Sequence, residues 1–267
     1  MSSKSGTIQH SGQHSGQPSG YTGTSFAKCF LIARRELGSF FNTWMGYVIA
    51  AAVLFINGLL FNAFAVGQQP KFSADVLADF FYFASGMSMV AGIFLAMRLM
   101  AEEKQTGTIV LFYTSPVTER QLIYGKFLSA FIFALVLHAL SLYLPALIFI
   151  HGKISLGHLA AGYLCLVLIG ASTMSITLFA STISPNQMVS AVMGAFVTVT
   201  LLVLWMVADI VEPPFKDLFG WLSLHNKHFT PFSRGIVRIS DVVYYLSVIV
   251  FFLECSVRAL EARRWRG

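Results

Sequence analysis

With 267 residues, 56% of them hydrophobic and 11% charged, this chain carries well under the charged fraction of about a quarter that soluble globular domains use. Together with a mean hydropathy of +0.70, that excludes an ordinary soluble domain and predicts a polytopic membrane protein. The formal net charge of +6 does not indicate a nucleic-acid partner, because the 18 Lys and Arg are scattered between apolar blocks and form no stripe.

Residues 1–24 are rich in Ser, Gly, Gln and His and include a short H-S-G-Q repeat. Such a composition buries no core, so a disordered cytoplasmic tail is expected, with no removed signal peptide. Residues 25–43 intersperse Phe26, Phe30, Leu31, Leu37, Phe40 and Phe41 with Lys28, Arg34, Arg35 and Glu36 at helical spacing. This predicts an amphipathic interfacial helix with its basic side toward headgroups. The other reading is a cytoplasmic extension of the first span.

Six apolar blocks follow within residues 44–267, at about 44–66, 80–100, 127–150, 158–181, 188–208 and 242–260, each long enough to cross lipid. The expected fold is therefore an all-α integral membrane protein of six transmembrane helices, with both termini on one side. One face carries Lys4, Lys28, Arg34, Arg35, Arg98, Lys104, Arg120, Lys126, Arg258, Arg263, Arg264 and Arg266. The other carries Lys71, Lys153, Lys216, Lys227, Arg234 and Arg238. Twelve basic residues against six put both termini in the cytoplasm by the positive-inside rule. The aromatic-rich segment 209–241, with Pro213-Pro214, is then extracytoplasmic and expected to form one or two short helices.

Between the second and third blocks lies the polar insert R-L-M-A-E-E-K-Q-T-G-T-I-V-L-F-Y-T-S-P-V-T-E-R-Q-L-I-Y-G-K, Arg98 to Lys126. Gly107 breaks a helix, and Thr108 then starts a short apolar run, Ile109 to Tyr113, on what should be the cytosolic side. Such a run marks either a partner surface or a connector lying back on the membrane. Thr118-Glu119-Arg120-Gln121 has capping-box spacing, so the third span is expected to start near Thr118. A P-loop needs G-x-x-x-x-G-K-[ST], whereas Gly125-Lys126 and Gly152-Lys153 precede Phe and Ile. No enzyme activity is therefore expected of this chain.

The remaining polar residues have modest readings. Asn57, Asn62 and His138 fall inside apolar blocks and line either a translocation path or helix contacts, packing being favoured. Ser172, Thr173, Ser175 and Thr177 are expected to bond back to their own helix. Glu254 and Arg258 are expected to pair at i,i+4. Gly86, Gly92, Gly162, Gly170 and Gly194 permit close helix approach. His225 and His228 lack an evident third metal ligand, and Cys29, Cys165 and Cys255 show no C-x-x-C spacing, so no metal site is expected.

The residues A-E-E-K-Q-T-G-T-I-V-L-F, S-P-V-T and G-K-F in this order resemble the membrane subunit of a type-2 ATP-binding-cassette transporter. Ser181 to Ala191 (S-T-I-S-P-N-Q-M-V-S-A) resembles the link between the fourth and fifth spans of these permeases. F-S-R-G-I-V-R-I-S-D-V-V-Y-Y-L-S with a terminal R-R-W resembles the subgroup of gliding-motility-type and nitrous-oxide-reductase-maturation-type permeases. The likeness runs over about residues 25–265. It implies that the insert holds a coupling helix, with Glu102, Glu103, Gly107, Thr108, Ile109, Leu111, Phe112 and Pro116 meeting the ATPase subunit. Where the family often has an acidic residue two places after the Gly-Thr, this chain has Val110.

The resemblance further implies two copies of a cytoplasmic ATPase, a second permease subunit (the same chain or a paralogue), a periplasmic companion and a bacterial inner-membrane location. ATP and magnesium would enter only through the ATPase. The alternative is a stand-alone secondary transporter or channel. Against it stand the absence of inverted repeats and the scarcity of mid-membrane carboxylates.

Overall fold

A computed structural model describes residues 25–66, 72–108, 117–151, 155–213 and 215–264. The expected tail at 1–24 and four insert residues, Ile109, Leu111, Phe112 and Pro116, lie outside the described residues. Those described are all-helical, and six helices are long and apolar enough to cross a membrane.

Helix α1 (Ser25–Asn42) stops at Thr43, whose amide bonds back to Ser39 O, and α2 (Trp44–Leu60) comes next, ending in a π-helical turn, Phe61–Val66. The break at Thr43 separates α1 from the first apolar helix. Helix α3 (Ser73–Ala96) begins two turns before its apolar block and passes into α4 (Arg98–Gln105) through a break at Met97. That break has a visible cause. Ser181 Oγ inserts there, donating to Met97 O at 2.9 Å and accepting from the amides of Met100 and Ala101 at 3.1 and 2.9 Å.

The third long helix is also interrupted. Helix α5 (Glu119–Ser141) yields to α6 (Tyr143–His151) at Leu142, because Pro145 has no N–H with which to continue the ladder. Then come α7 (Leu156–Ile183), α8 (Gln187–Ile210), the short α9 (Phe215–Leu222) and α10 (Phe229–Ser233), and α11 (Ile239–Arg264).

Helix α7 is the axis of the bundle. It is apolar or small on every side, as a helix surrounded by protein should be, and packs against α3, α8 and α11. Of its most apolar stretch 83% is buried, against 17% of that of α8. Ser172 and Thr173 donate to the carbonyls four residues back, both at 2.9 Å, so α7 satisfies these hydroxyls internally. Among the expected contact glycines, Gly92, Gly162, Gly170 and Gly194 lie against neighbouring helices, whereas Gly86 faces open space. Two apolar cores result. One surrounds Leu95, Met100, Ile123 and Leu253 near the insert, and the other surrounds Leu77, Phe81, Leu166 and Tyr245 toward the opposite end.

Candidate functional site: a buried charge cluster beneath the insert

Three helices converge where the insert leaves and re-enters the bundle. Helix α4 ends at Gly107, whose φ of +71° is the left-handed conformation that glycine adopts without a Cβ penalty after a helix C-terminus. On the other side of the insert, Thr118 starts α5 with a reciprocal capping box. Gln121 N donates to Thr118 Oγ1 at 3.3 Å, and Thr118 N donates to Gln121 Oε1 at 3.2 Å. Helix α1 packs along the first half of α5, its Phe40 ring stacked on Phe133 at 5.2 Å.

The close approach of α1 and α5 depends on Gly125. A Cβ there would lie 2.9 Å from Cys29 O and from the Ile32 side chain. The next residue, Lys126, is 1% exposed and carries its ammonium between two carboxylates from different elements. Its Nζ is 2.7 Å from Glu103 Oε1 on α4 and 3.2 Å from Glu36 Oε1 on α1. A buried cation is costly unless paired. This pairing offsets that cost and locks α1, α4 and α5 together.

A second pair stands beside it. Arg98, 7% exposed, directs Nε to Glu102 Oε2 at 3.0 Å and Nη2 to Ser39 Oγ at 3.3 Å, with its guanidinium 5.1 Å from the Phe40 ring centre. Lys104 Nζ donates to the terminal carbonyls of α7, those of Ser181 and Ser184 both at 3.0 Å and that of Thr182 as well. It places a cation at the negative end of a helix. A cavity of about 440 Å³ lies between these groups, lined by Arg35, Glu36, Arg98, Glu103, Thr108 and Lys126 among others.

The residues expected to meet an ATPase thus separate. Glu102 is 44% exposed at its side chain, and Gly107 and Thr108 are exposed at the tip of α4. Glu103 is turned inward onto Lys126 and is 8% exposed. The cluster's other members, Glu36, Ser39 and Lys126, were not singled out as site residues by sequence reasoning. The available signal was a cation one residue after a glycine in the first turns of a span.

The expected i,i+4 pair of Glu254 and Arg258 does not form. Glu254 accepts instead from Arg120 Nη2 at 2.9 Å and from Tyr124 Oη at 3.1 Å, both on α5, and Arg258 lies 3.7 Å from Glu261. Two donors from one neighbouring helix outcompete a single donor on the same helix.

Away from the insert, Asn57 is buried whereas Asn62 is exposed, so the two do not converge. His138 is engaged at both nitrogens, with Nδ1 2.7 Å from Ala134 O and Nε2 3.1 Å from Ser88 Oγ. Together with Asn57 it borders a void of only about 20 Å³. His225 and His228 diverge, the first to Ser85 Oγ at 3.0 Å and the second to Asp241 Oδ1 at 2.8 Å.

No curated protein matches this chain. A family profile described as "ABC-2 family transporter protein" matches residues 9–250. That match covers both ends of the insert, the charge cluster and the first 12 of the 26 residues of α11. The chain therefore belongs to the ABC-2 transporter family, the multi-pass membrane components of ATP-binding-cassette transporters.

Proposed function

We propose that this chain is the permease subunit that couples ATP hydrolysis by a separate cytoplasmic ATPase to export or to mechanical transduction across the membrane. The observation that carries this reading is the Lys126 junction. The two helices flanking the insert, α4 and α5, are tied to each other and to α1 through one buried ammonium. A push on residues 102–116 would then move three helices as one body. The family membership supports an ATPase partner, and half-exposed Glu102 with exposed Gly107 and Thr108 supplies a polar edge for it.

In this reading the termini and the insert face the cytoplasm, while α9 and α10 face the opposite compartment. Two permease chains would assemble with two ATPases, and Ile109, Leu111, Phe112 and Pro116 would fill the ATPase groove. The finer assignments, to a bacterial inner membrane and to a gliding-motility-type or maturation-type permease with a periplasmic companion, rest on the sequence resemblance.

Co-purification of the full chain with its cognate ATPase tests the coupling role. Gly107→Pro and Leu111→Asp should each abolish the complex while leaving the chain folded by thermal unfolding. Undiminished complex formation by both variants would remove the insert from the ATPase interface. Transport in liposomes that proceeds equally without any ATPase would favour the stand-alone transporter.

A further inference from the structure

A cleft of about 510 Å³ lies between α3 and α8, bordered by Leu60 at the end of α2 and by the link between α9 and α10. Tyr82, Phe83 and Met89 of α3 and Trp205 and Met206 of α8 give it apolar walls, while Ser85, His225 and Asn226 are its polar members. None of the described residues that line it is Lys, Arg, Asp or Glu, in contrast to the charge-lined cavity beneath the insert. Burial lowers His225 to about 4, so that ring too is neutral outside acid conditions. Tyr82 and Met206 are exposed, which leaves the cleft open to the side, where α8 presents its apolar surface outward.

The glycine in this cleft has no packing role. Gly86 lies in the interior of α3, where glycine weakens a helix, yet a Cβ there would meet nothing within 4 Å. No close helix contact accounts for it. What the missing side chain keeps open is the cleft.

The polar end is fixed in advance. Leu224 N donates to Leu201 O of α8, and Tyr245 Oη of α11 donates to Leu224 O, both at 3.0 Å. Two residues on, Asn226 takes a φ of +50°, a left-handed conformation that asparagine tolerates, and its carbonyl accepts from Thr230 N at 2.9 Å. The link so held brings His225 Nε2 to 3.0 Å from Ser85 Oγ. Hydrogen-bonding groups from α3 and from the link therefore meet at one end of an apolar cleft, the arrangement of small-molecule sites of about 300–1,000 Å³.

We propose that this cleft binds an uncharged amphiphile from the bilayer, its apolar body between α3 and α8 and a hydroxyl head hydrogen-bonded at Ser85, His225 and Asn226. An ionised head group would shed water with no counter-charge on the wall to replace it. The aromatic rings and the adaptable methionines accept an apolar body of varied shape. That the bound molecule is cargo rests on the permease reading, but its binding does not. Loss of the ATPase complex would leave the cleft intact, and an unoccupied cleft would leave the coupling role intact.

Tryptophan quenching in the full chain tests the site. Trp44→Phe, Trp221→Phe and Trp265→Phe leave Trp205 as the reporter, and a control chain keeps Trp44, exposed at the start of α2, in its place. In phosphatidylcholine nanodiscs, dibrominated octadecanol should quench Trp205 saturably at about one-tenth of the mole fraction that dibrominated phosphatidylcholine requires, a tenfold preference. Dibrominated octadecyl sulfate, a permanent anion, should show no such preference, and neither should any probe with Trp44. Gly86→Leu gains helix propensity and meets no neighbour, so it should melt no lower than its parent and should lose the preference. Quenching of Trp205 by all three probes alike overturns the proposal whether or not the variant folds. So does an equal preference for the sulfate, or a preference that survives in folded Gly86→Leu.

Discussion

Lys126 is a buried charge made tolerable by two carboxylates, and those carboxylates depend on it in turn. Lys126→Met leaves Glu36 and Glu103 facing each other without the counter-ion they share, and the stability measured by thermal unfolding in detergent should fall by about 3–5 kcal/mol. Adding Glu36→Gln and Glu103→Gln should recover most of that loss, since the cost lies in uncompensated charge. The Arg120–Glu254 pair behaves differently because its side chains are 59% and 34% exposed. Arg120→Ala should cost less than about 1 kcal/mol in the same assay.

His225 provides a pH signature on the acid side. Burial lowers its folded value to about 4, below the unfolded value of about 6.5, so the folded chain favours the neutral ring. Its contribution is complete above the unfolded value and is progressively lost as pH falls toward 4. Unfolding midpoints should therefore decline over that acid window, and His225→Gln should flatten the decline.

Residue identities revealed part of this chemistry. Arg98, Glu102 and Glu103 stand out in an apolar chain, and His138, for which packing is the favoured reading, has both ring nitrogens engaged. Pairing followed spacing for Arg98 and Glu102, four residues apart, but not for Lys126 or Glu254. The partners of Lys126 lie 90 and 23 positions away, at Glu36 and Glu103, and Glu254 found its donors on α5 and not one turn along α11.

Among elements, the contact between α1 and α5 is set by a missing side chain. Gly125→Val puts branched atoms where Cys29 O and Ile32 already sit. Overpacking of this kind typically costs about 1–3 kcal/mol, and here it should also separate Glu36 from Lys126. Thermal unfolding in detergent reads the combined loss. Thr118→Ala removes one half of the capping box at the start of α5 and should lower stability by about 1 kcal/mol in thermal unfolding.

The capping box was legible beforehand because it is a four-residue pattern satisfied by the backbone amides it covers. The interruptions of the long helices were less so. Pro145 marks one of them, but the break at Met97 exists because Ser181, more than 80 residues later, offers its hydroxyl to the α3–α4 backbone.

Across the whole molecule, burial is uneven. Helix α7 is enclosed, while α2, α8 and α11 present much of their apolar surface outward. In a soluble protein such faces would signal missing partners, but in lipid they need none. For the proposed transporter, the complex purified in mild detergent should have the mass of two permease chains and two ATPases by light scattering.

The sequence by itself determined that this is a six-helix membrane protein with a polar insert between its second and third spans, because span length, apolar content and helix caps are local properties enforced by lipid and by unsatisfied backbone groups. Tertiary structure alone decided which charges meet, which helix is central and how the far helices are fastened. Those outcomes depend on distant side chains brought within hydrogen-bond reach, where the cost of burying a lone charge selects the partner.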